Sequence, residues 1–418
     1  MIRWNVVLAG GVGSRFWPLS TPDRPKQLLP LISAAPMLRD SIDRVLPLAP
    51  LERTLVLTNA LLRDAVLAMA PGLPAENVIA EPRPAGTCAA LAWAARTIAA
   101  RTGPESVMIC VHADWAIGDV EGFRRTLADA ADIAAREHAL VTVGIVPSRP
   151  DPGLGYIQPG ERVDDTVRRV ARFVEKPSRE RAAEMVTAGY YWNSGIFAWR
   201  VGDLLDEIRA HTPEVQSALD AAGDDLAAFF THVTSIAIDV GVLERSQRVL
   251  VIPGRFGWDD VGTWAALHRV RVLDESGNAA YGPSFVLQSR DNVVHAEGST
   301  VVLYGVNDLV VVAREGLVMV TTRERATELK TLLDALPMEL RGPCSCSTPT
   351  HWRARSNPSR PRARWARCAP AHSWAASVGR GGLVSPSTGT SRHHTSGRLL
   401  NSTRRHRRPC PCPPVRGS

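Results

Sequence analysis

Lysine is almost missing from this chain: Lys26, Lys176 and Lys330 stand alone among 49 basic residues. No apolar run approaches the roughly 20 residues that a helix needs to cross a bilayer, so an ordinary membrane span is excluded. The opening MIRWNVVLAGG carries one basic residue and passes straight into a strand and a glycine loop, unlike a secretory signal; a cytoplasmic protein is expected. Cysteine is scarce where a core could form. Only Cys88 and Cys110 precede residue 341, both in apolar surroundings, which argues against a disulfide framework and for two reduced core residues. Catalytic signatures are missing too. There is no GxxxxGK[ST] loop, no HExxH helix and no evident Ser/His/Asp arrangement, so no P-loop, zinc-protease or triad chemistry is indicated.

Charge is unevenly divided. The formal net charge is +7, but residues from Arg341 onward hold 15 arginines and no acidic residue, leaving 34 basic against 42 acidic groups before them, a net of −8. An acidic body gives no reason to expect nucleic acid as a partner. The tail, as in RARSNPSRPRARWARCAPAHSW, has neither helical nor strand period and cannot bury a core. Arginine outnumbers lysine 46 to 3, the mark of a GC-rich gene, and such a gene read out of frame yields this vocabulary. Residues 341–418 are therefore read as a disordered Arg/Pro-rich tail of frameshift origin. A basic arm for nucleic acid or an acidic membrane would rest on charge alone. Cys344, Cys346, Cys368, Cys410 and Cys412 lack paired zinc-ligand spacing.

What is present alternates. WNVVLA (4–9), TLVLT (54–58), NVIAE (77–81), SVMICV (106–111) and LVTVGI (140–145) read as short buried strands. Between them MLRDSIDRVLPL, TCAALAWAARTIAAR and GFRRTLADAADIAARE show helical periodicity, the first with Leu38, Ile42, Val45 and Leu46 on one face. Strand–helix repetition of this kind predicts a mostly parallel sheet covered on both faces, with ligands at the carboxyl ends of its strands. After Val146 come turn-rich pieces. From about Gly282 to Thr322, Val-rich strands recur every eight to ten residues and are closed by RERATELKTLLDAL, predicting a short β-helix or a sandwich-like cap. The fold class is α/β, with a catalytic domain over 1–278 and a β-rich domain over 279–340.

The stretch LAGGVGSRFWPLSTPDRPKQLLPL, Leu8 to Leu31, holds the first concentration of chemistry. Gly10, Gly11 and Gly13 can expose backbone N–H groups to phosphate oxygens; Arg15 offers a two-pronged guanidinium and Lys26 a point charge. The spacing is not that of a Rossmann fingerprint, since Phe16 stands where the last glycine would be. A tight turn with solvated cations is the alternative. Two of three lysines falling in glycine- or proline-punctuated loops favours phosphate binding.

Together with EPRPAGTCAALAWAA, FVEKP, WNSGIFAW and GWDDVGTW, in this order, that stretch resembles the sugar-nucleotide pyrophosphorylases, most closely the bacterial mannose-1-phosphate guanylyltransferases. The resemblance runs from about Val6 to about Leu340. It implies a Rossmann-like nucleotidyltransferase domain with a mixed, mostly parallel sheet and a β-helix-like C-terminal domain. It also implies the joining of GTP and mannose 1-phosphate by in-line attack on the α-phosphorus, assisted by Mg²⁺ and without a covalent enzyme intermediate.

By that resemblance Gly10, Gly11, Gly13 and Arg15 wrap the triphosphate and Lys26 reaches the reacting phosphates. Lys176 holds the sugar phosphate, Glu175 accepts sugar hydroxyls, and Gly155 and Asn193 line the same pocket. Asp114 and Asp260 are the metal-binding aspartates; Glu81 and Thr87 lie on the nucleotide side, where a carboxylate could accept from guanine. Two departures from the family pattern leave base choice open: Ala85-Gly86 replaces Arg-Asn, and Trp115 follows Asp114 where histidine is usual. A pyrophosphorylase for another nucleotide and hexose phosphate, or a regulatory or decayed homologue, remains an alternative. A β-rich C-terminal unit often mediates pairing, so a homodimer is the assembly to look for.

Overall fold

Short Val-, Ile- and Leu-rich segments pair into one twisted sheet in the computed structural model, which describes residues 1–11 and 14–340. Gly13 and the tail 341–418, with its five cysteines and its expected disorder, lie outside the described residues. The first ten strands are β1 (Arg3–Leu8), β2 (Thr54–Asn59), β3 (Val78–Glu81), β4 (Val107–His112), β5 (Ala116–Ile117), β6 (Leu140–Ile145), β7 (Tyr156–Arg162), β8 (Arg168–Val174), β9 (Tyr191–Arg200) and β10 (Val249–Gly254). Nine of them form a sheet in the order β3-β2-β1-β4-β9-β6-β10-β8-β7. The pairs among β1 to β4, and the pair β6–β10, are parallel.

Residues Trp4–Leu8 of β1 are all buried, but successive side chains enter different cores. Val7 joins a core beneath the helices α1 (Met37–Val45) and α4 (Val120–Glu137), whereas Val6 and Leu8 join another beneath α3 (Gly86–Thr102), which follows α2 (Arg63–Met69) in the chain. Both faces are thus covered, which is why these strands read as continuous apolar runs. Cys88 and Cys110 are free and buried, as their surroundings implied.

The sheet is mixed because β9 lies antiparallel between β4 and β6. Taken alone, its sequence YYWNSGIFAWR reads as one of several turn-rich pieces. Asn193, Ser194 and Gly195 interrupt an otherwise good strand pattern at its ligand end, where Gly195 has φ +71°. The register accordingly shifts between Thr142 and Gly144 of β6.

Helix α3 starts at Gly86 with φ +80°, and an added Cβ would lie 2.3 Å from the Ile236 carbonyl oxygen. That carbonyl accepts from Cys88 N at 3.2 Å, while Thr87 Oγ1 accepts from Ile238 N at 2.9 Å. Gly86→Ala combines a left-handed backbone with a clash against fixed backbone, and should cost more than about 2 kcal/mol, read as a lower denaturant midpoint.

β11 (Trp258–Asp259) pairs with β5 beside the ligand edge. Beyond it, β12 (Ala279–Tyr281), β14 (Val293–Ala296) and β16 (Leu309–Arg314) stack in parallel, as do β13 (Ser284–Leu287) and β15 (Val301–Tyr304). The chain visits the two stacks alternately, so this is a β-helical coil rather than a sandwich. β17 (Leu317–Thr322) folds back antiparallel on β16 and ends the coil. Val294, Ala296, Val301, Leu303, Val311 and Ala313 fill its interior. Asn278 and Asn292 mark its corners, with Asn292 Nδ2 donating to Asn278 Oδ1 at 2.9 Å.

Candidate active site

The carboxyl end of β1 opens into the glycine loop, and the loop is held from below. Gln27 is 3 % exposed and its Nε2 donates to the carbonyls of Ala9 (2.7 Å) and Gly11 (2.8 Å). It sits in the short 3₁₀ turn Lys26–Leu28, so it ties the loop to that turn. Sequence reasoning did not select Gln27. Its only signal is its place beside Lys26.

Lys26 is 7 % exposed, and its Nζ donates to Asp114 Oδ2 at 3.0 Å and to the Asp260 carbonyl at 2.7 Å. Residues far apart in the chain are thereby gathered on one ammonium. Burial pulls the Asp114 carboxyl upward, but the Lys26 charge, helped by His112, outweighs this and holds it below the usual carboxylate range. The Asp260 carboxyl is pushed up, first by burial and then by the negative charge of Asp259.

Asp259 itself points away from this centre. Arg269 grips it at 2.8 and 3.0 Å and it accepts from Val261 N at 2.9 Å. Val261, fully buried with φ +48°, is a β-branched residue in a costly conformation beside Asp260. Arg15 is exposed on the turn Ser14–Phe16, with no hydrogen-bond or ion-pair partner among the described residues.

Two cavities are lined by the Lys26 partners Asp114 and Asp260, one by each; Lys26 itself is in neither lining. One, of about 320 Å³, is lined by Gly10, Gly11, Gln27, Glu81, Gly86, Thr87, His112 and Asp114. Burial pushes Glu81 up to about 7 there. The other, of about 400 Å³, is lined by Gly155, Glu175, Asn193, Asp239, Trp258 and Asp260 among others. In it Asn193 Nδ2 donates to Asp239 Oδ1 at 2.8 Å, and a Cβ on Gly155 would sit 2.7 Å from Glu175 Oε2. Lys176, at φ +41°, is exposed, pairs with the neighbouring Glu175 and is not among the lining residues.

His112 belongs to both cavities. Its ring lies 4.7 Å from Trp115, and burial lowers its pKa against the opposing pull of the Asp114 and Asp239 carboxylates. Trp115 in turn meets Trp258 edge-on at 5.8 Å, walling the larger cavity. Asp239 opens a single π-helical turn, Asp239–Leu243, a feature that often marks functional positions. Neither His112 nor Asp239 could be chosen from the sequence, since each is made relevant only by distant partners.

Among the described residues no group of three or more His, Cys, Asp or Glu gathers as a metal cluster. Two carboxylates of unlike cavities suit an oxygen-seeking ion that draws its remaining ligands from phosphate and water. Asp260 makes the better case: its carboxylate lines the larger cavity and forms no ion pair among the described residues, whereas that of Asp114 already meets Lys26. The residues present fit such an ion.

Comparison with known proteins gives the family. Residues 4–277 match the family model described as nucleotidyl transferase, and residues 282–336 match the MannoseP isomerase/GMP-like beta-helix domain. A mannose-1-phosphate guanylyltransferase of Escherichia coli (strain K12) is 36% identical over 352 residues, covering 80% of this chain and 73% of that one. One from Sinorhizobium fredii is 34% identical, covering 79% and 67%. A crystal structure from Thermus thermophilus, described as a mannose-1-phosphate geranyltransferase, superposes with a TM-score of 0.74 at 34% identity, over 80% of this chain and 99% of that one.

Proposed function

This chain belongs to the nucleotidyl transferase family, among the mannose-1-phosphate guanylyltransferases, and we propose that it joins GTP and α-D-mannose 1-phosphate into GDP-mannose and pyrophosphate. The observation that carries the reading is Lys26, whose single ammonium ties Asp114 of the smaller cavity to the Asp260 loop of the larger one.

On this reading GTP occupies the smaller cavity and the sugar phosphate the larger. A phosphate oxygen of the sugar bonds to the α-phosphorus while the bond to the β-phosphate oxygen breaks, and pyrophosphate carries away the electron pair. Such a reaction needs alignment and charge neutralisation more than a nucleophilic side chain. Gly10, Gly11, Gly13 and Arg15 cradle the triphosphate; Lys26 supplies charge at the centre. Lys176 turns from Glu175 to the sugar phosphate, and Glu175, Gly155 and Asn193 receive the hexose. Asp114 and Asp260 would hold Mg²⁺, which lowers the charge repulsion between the two phosphates. Thr87 keeps the nucleotide wall in place through Ile238.

Glu81 is the guanine acceptor in this scheme. N1–H and N2–H₂ are donors, so they favour the ionised carboxylate. With a starting pKa of about 7, Glu81 must lose a proton on binding at lower pH. GTP affinity should therefore weaken as pH falls below about 7, by up to about tenfold per unit, and Glu81→Gln should flatten the profile.

The catalytic unit is taken as 1–278 and the β-helical unit as 279–340, acting in the cytoplasm. A homodimer through the coil fits the outward Phe285, Leu287, Val302 and Tyr304, which are 48–66% exposed.

The test is pyrophosphate release by the purified chain from each of four NTPs with mannose or glucose 1-phosphate. Release from GTP only with mannose 1-phosphate and Mg²⁺ is expected. Preference for another pair would reassign the substrates, and no turnover with any pair would support a regulatory or decayed homologue.

A further inference from the structure

The coil that follows the catalytic unit reaches back to the glycine loop at its far end. Arg24, two residues before Lys26, places Nη1 3.0 Å from Glu297 Oε2 and Nη2 3.2 Å from Oε1, a parallel two-point contact. We propose that Glu297 is a positioning residue for Lys26, fixing through Arg24 the start of the turn that carries the ammonium into the cleft. The functional meaning of that position rests on the guanylyltransferase reading.

The connection is short and stiff. Thr21 and Arg24 exchange backbone hydrogen bonds at 3.1 Å each, closing the loop. Pro25 then sets the entry, with φ −71° and ψ 172°, and its carbonyl accepts from Leu28 N at 2.9 Å. Proline restricts its own φ and the conformation of the residue before it, so displacement of Arg24 passes to Lys26 with little slack.

Glu297 is anchored in its turn. Its backbone N donates to Ala313 O at 2.8 Å, and its carboxylate receives His295 Nε2 at 3.4 Å. His295 is fully buried, stacked on Tyr281 at 4.5 Å and edge-on to Trp264 at 5.4 Å. Arg271 Nη2 donates to its Nδ1 at 2.8 Å, which makes Nε2 the protonated nitrogen facing Glu297. Two further struts reach the same loop: Arg314 Nη1 donates to Pro18 O at 2.7 Å, and Trp264 Nε1 to Trp17 O at 2.8 Å. A half-exposed ion pair adds little to stability, so the contact matters through geometry.

The experiment uses the full chain and the variants Glu297→Ala, Arg24→Gln and the exchanged pair Arg24→Glu with Glu297→Arg. Each single variant should lower kcat about tenfold, because misplacement by a fraction of an ångström is costly to reaction. KM for mannose 1-phosphate should hold, and the exchanged pair should recover most of the loss. Acylation read by mass spectrometry reports position without activity, with Lys176 and Lys330 as internal standards. Lys26 should become several-fold more reactive in either single variant and regain protection in the exchanged pair. Unchanged kcat and unchanged Lys26 reactivity in Arg24→Gln, or no recovery by the exchange, would overturn the proposal. A chain inactive with every nucleotide would bring down the guanylyltransferase reading instead, and the acylation pattern would still decide the positioning.

Discussion

Lys26→Met should reduce turnover by about a thousandfold. The ammonium has three N–H groups; two are given to Asp114 Oδ2 and the Asp260 carbonyl, leaving one for a phosphate oxygen. Methionine keeps the bulk of the stem but removes a fixed charge from a buried site, where such charge is worth most. It also leaves Asp114 without its main counter-charge, so that carboxyl should rise from its present low value. Arginine should not substitute, since its planar fork is larger than the space around a side chain 7 % exposed. Pyrophosphate release at saturating substrates is the measurement. Activity above about a tenth of wild type in Lys26→Met would remove Lys26 from the reacting centre.

Asp260→Asn should abolish metal-dependent turnover to a similar extent, by about a thousandfold. The carboxamide matches the carboxylate in shape, so the loop should persist while its negative charge is lost. Asp259 cannot swing in as a replacement, because Arg269 and the Val261 amide already occupy it. The contrast with Asp259→Asn is informative: that change weakens a bidentate pair buried beneath the strained Val261 backbone and should appear mainly as lost stability. Rates measured across a Mg²⁺ titration separate the two. Near-wild-type activity of Asp260→Asn, with an unaltered metal requirement, would dismiss this aspartate as a ligand.

How far the sequence foretells this arrangement depends on how locally each feature is determined. Apolar runs place β1, β2, β4 and β6, and the period of MLRDSIDRVLPL places α1, because burial on a face is written in neighbouring residues. Lysine scarcity points to Lys26, which the fold brings onto Asp114 and Asp260. The central position of β9 is not written locally, since its turn-forming Asn193, Ser194 and Gly195 serve the cavity and not the strand. Gln27 acts through Ala9 and Gly11, 18 and 16 positions away, and Asp239 through Asn193, 46 away, so neither is marked by its immediate neighbours. The Arg24–Glu297 contact, spanning 273 positions, has no sequence period to betray it. The family resemblance puts Lys176 at the sugar phosphate; it stands at the surface paired with Glu175, outside the lining of the larger cavity.

The place of His112 in the lining of both cavities has a kinetic corollary. On the proposed reading, a nucleotide that arrives first in the smaller cavity faces a second cavity still open to water, and water is the rival attacker of an activated phosphate ester. Since Asp114 lines one cavity and Asp260 the other, full assembly of the charged centre would await the second guest. Wasteful hydrolysis of the energy-rich donor would then be restrained by incomplete occupancy, with no door required to shut.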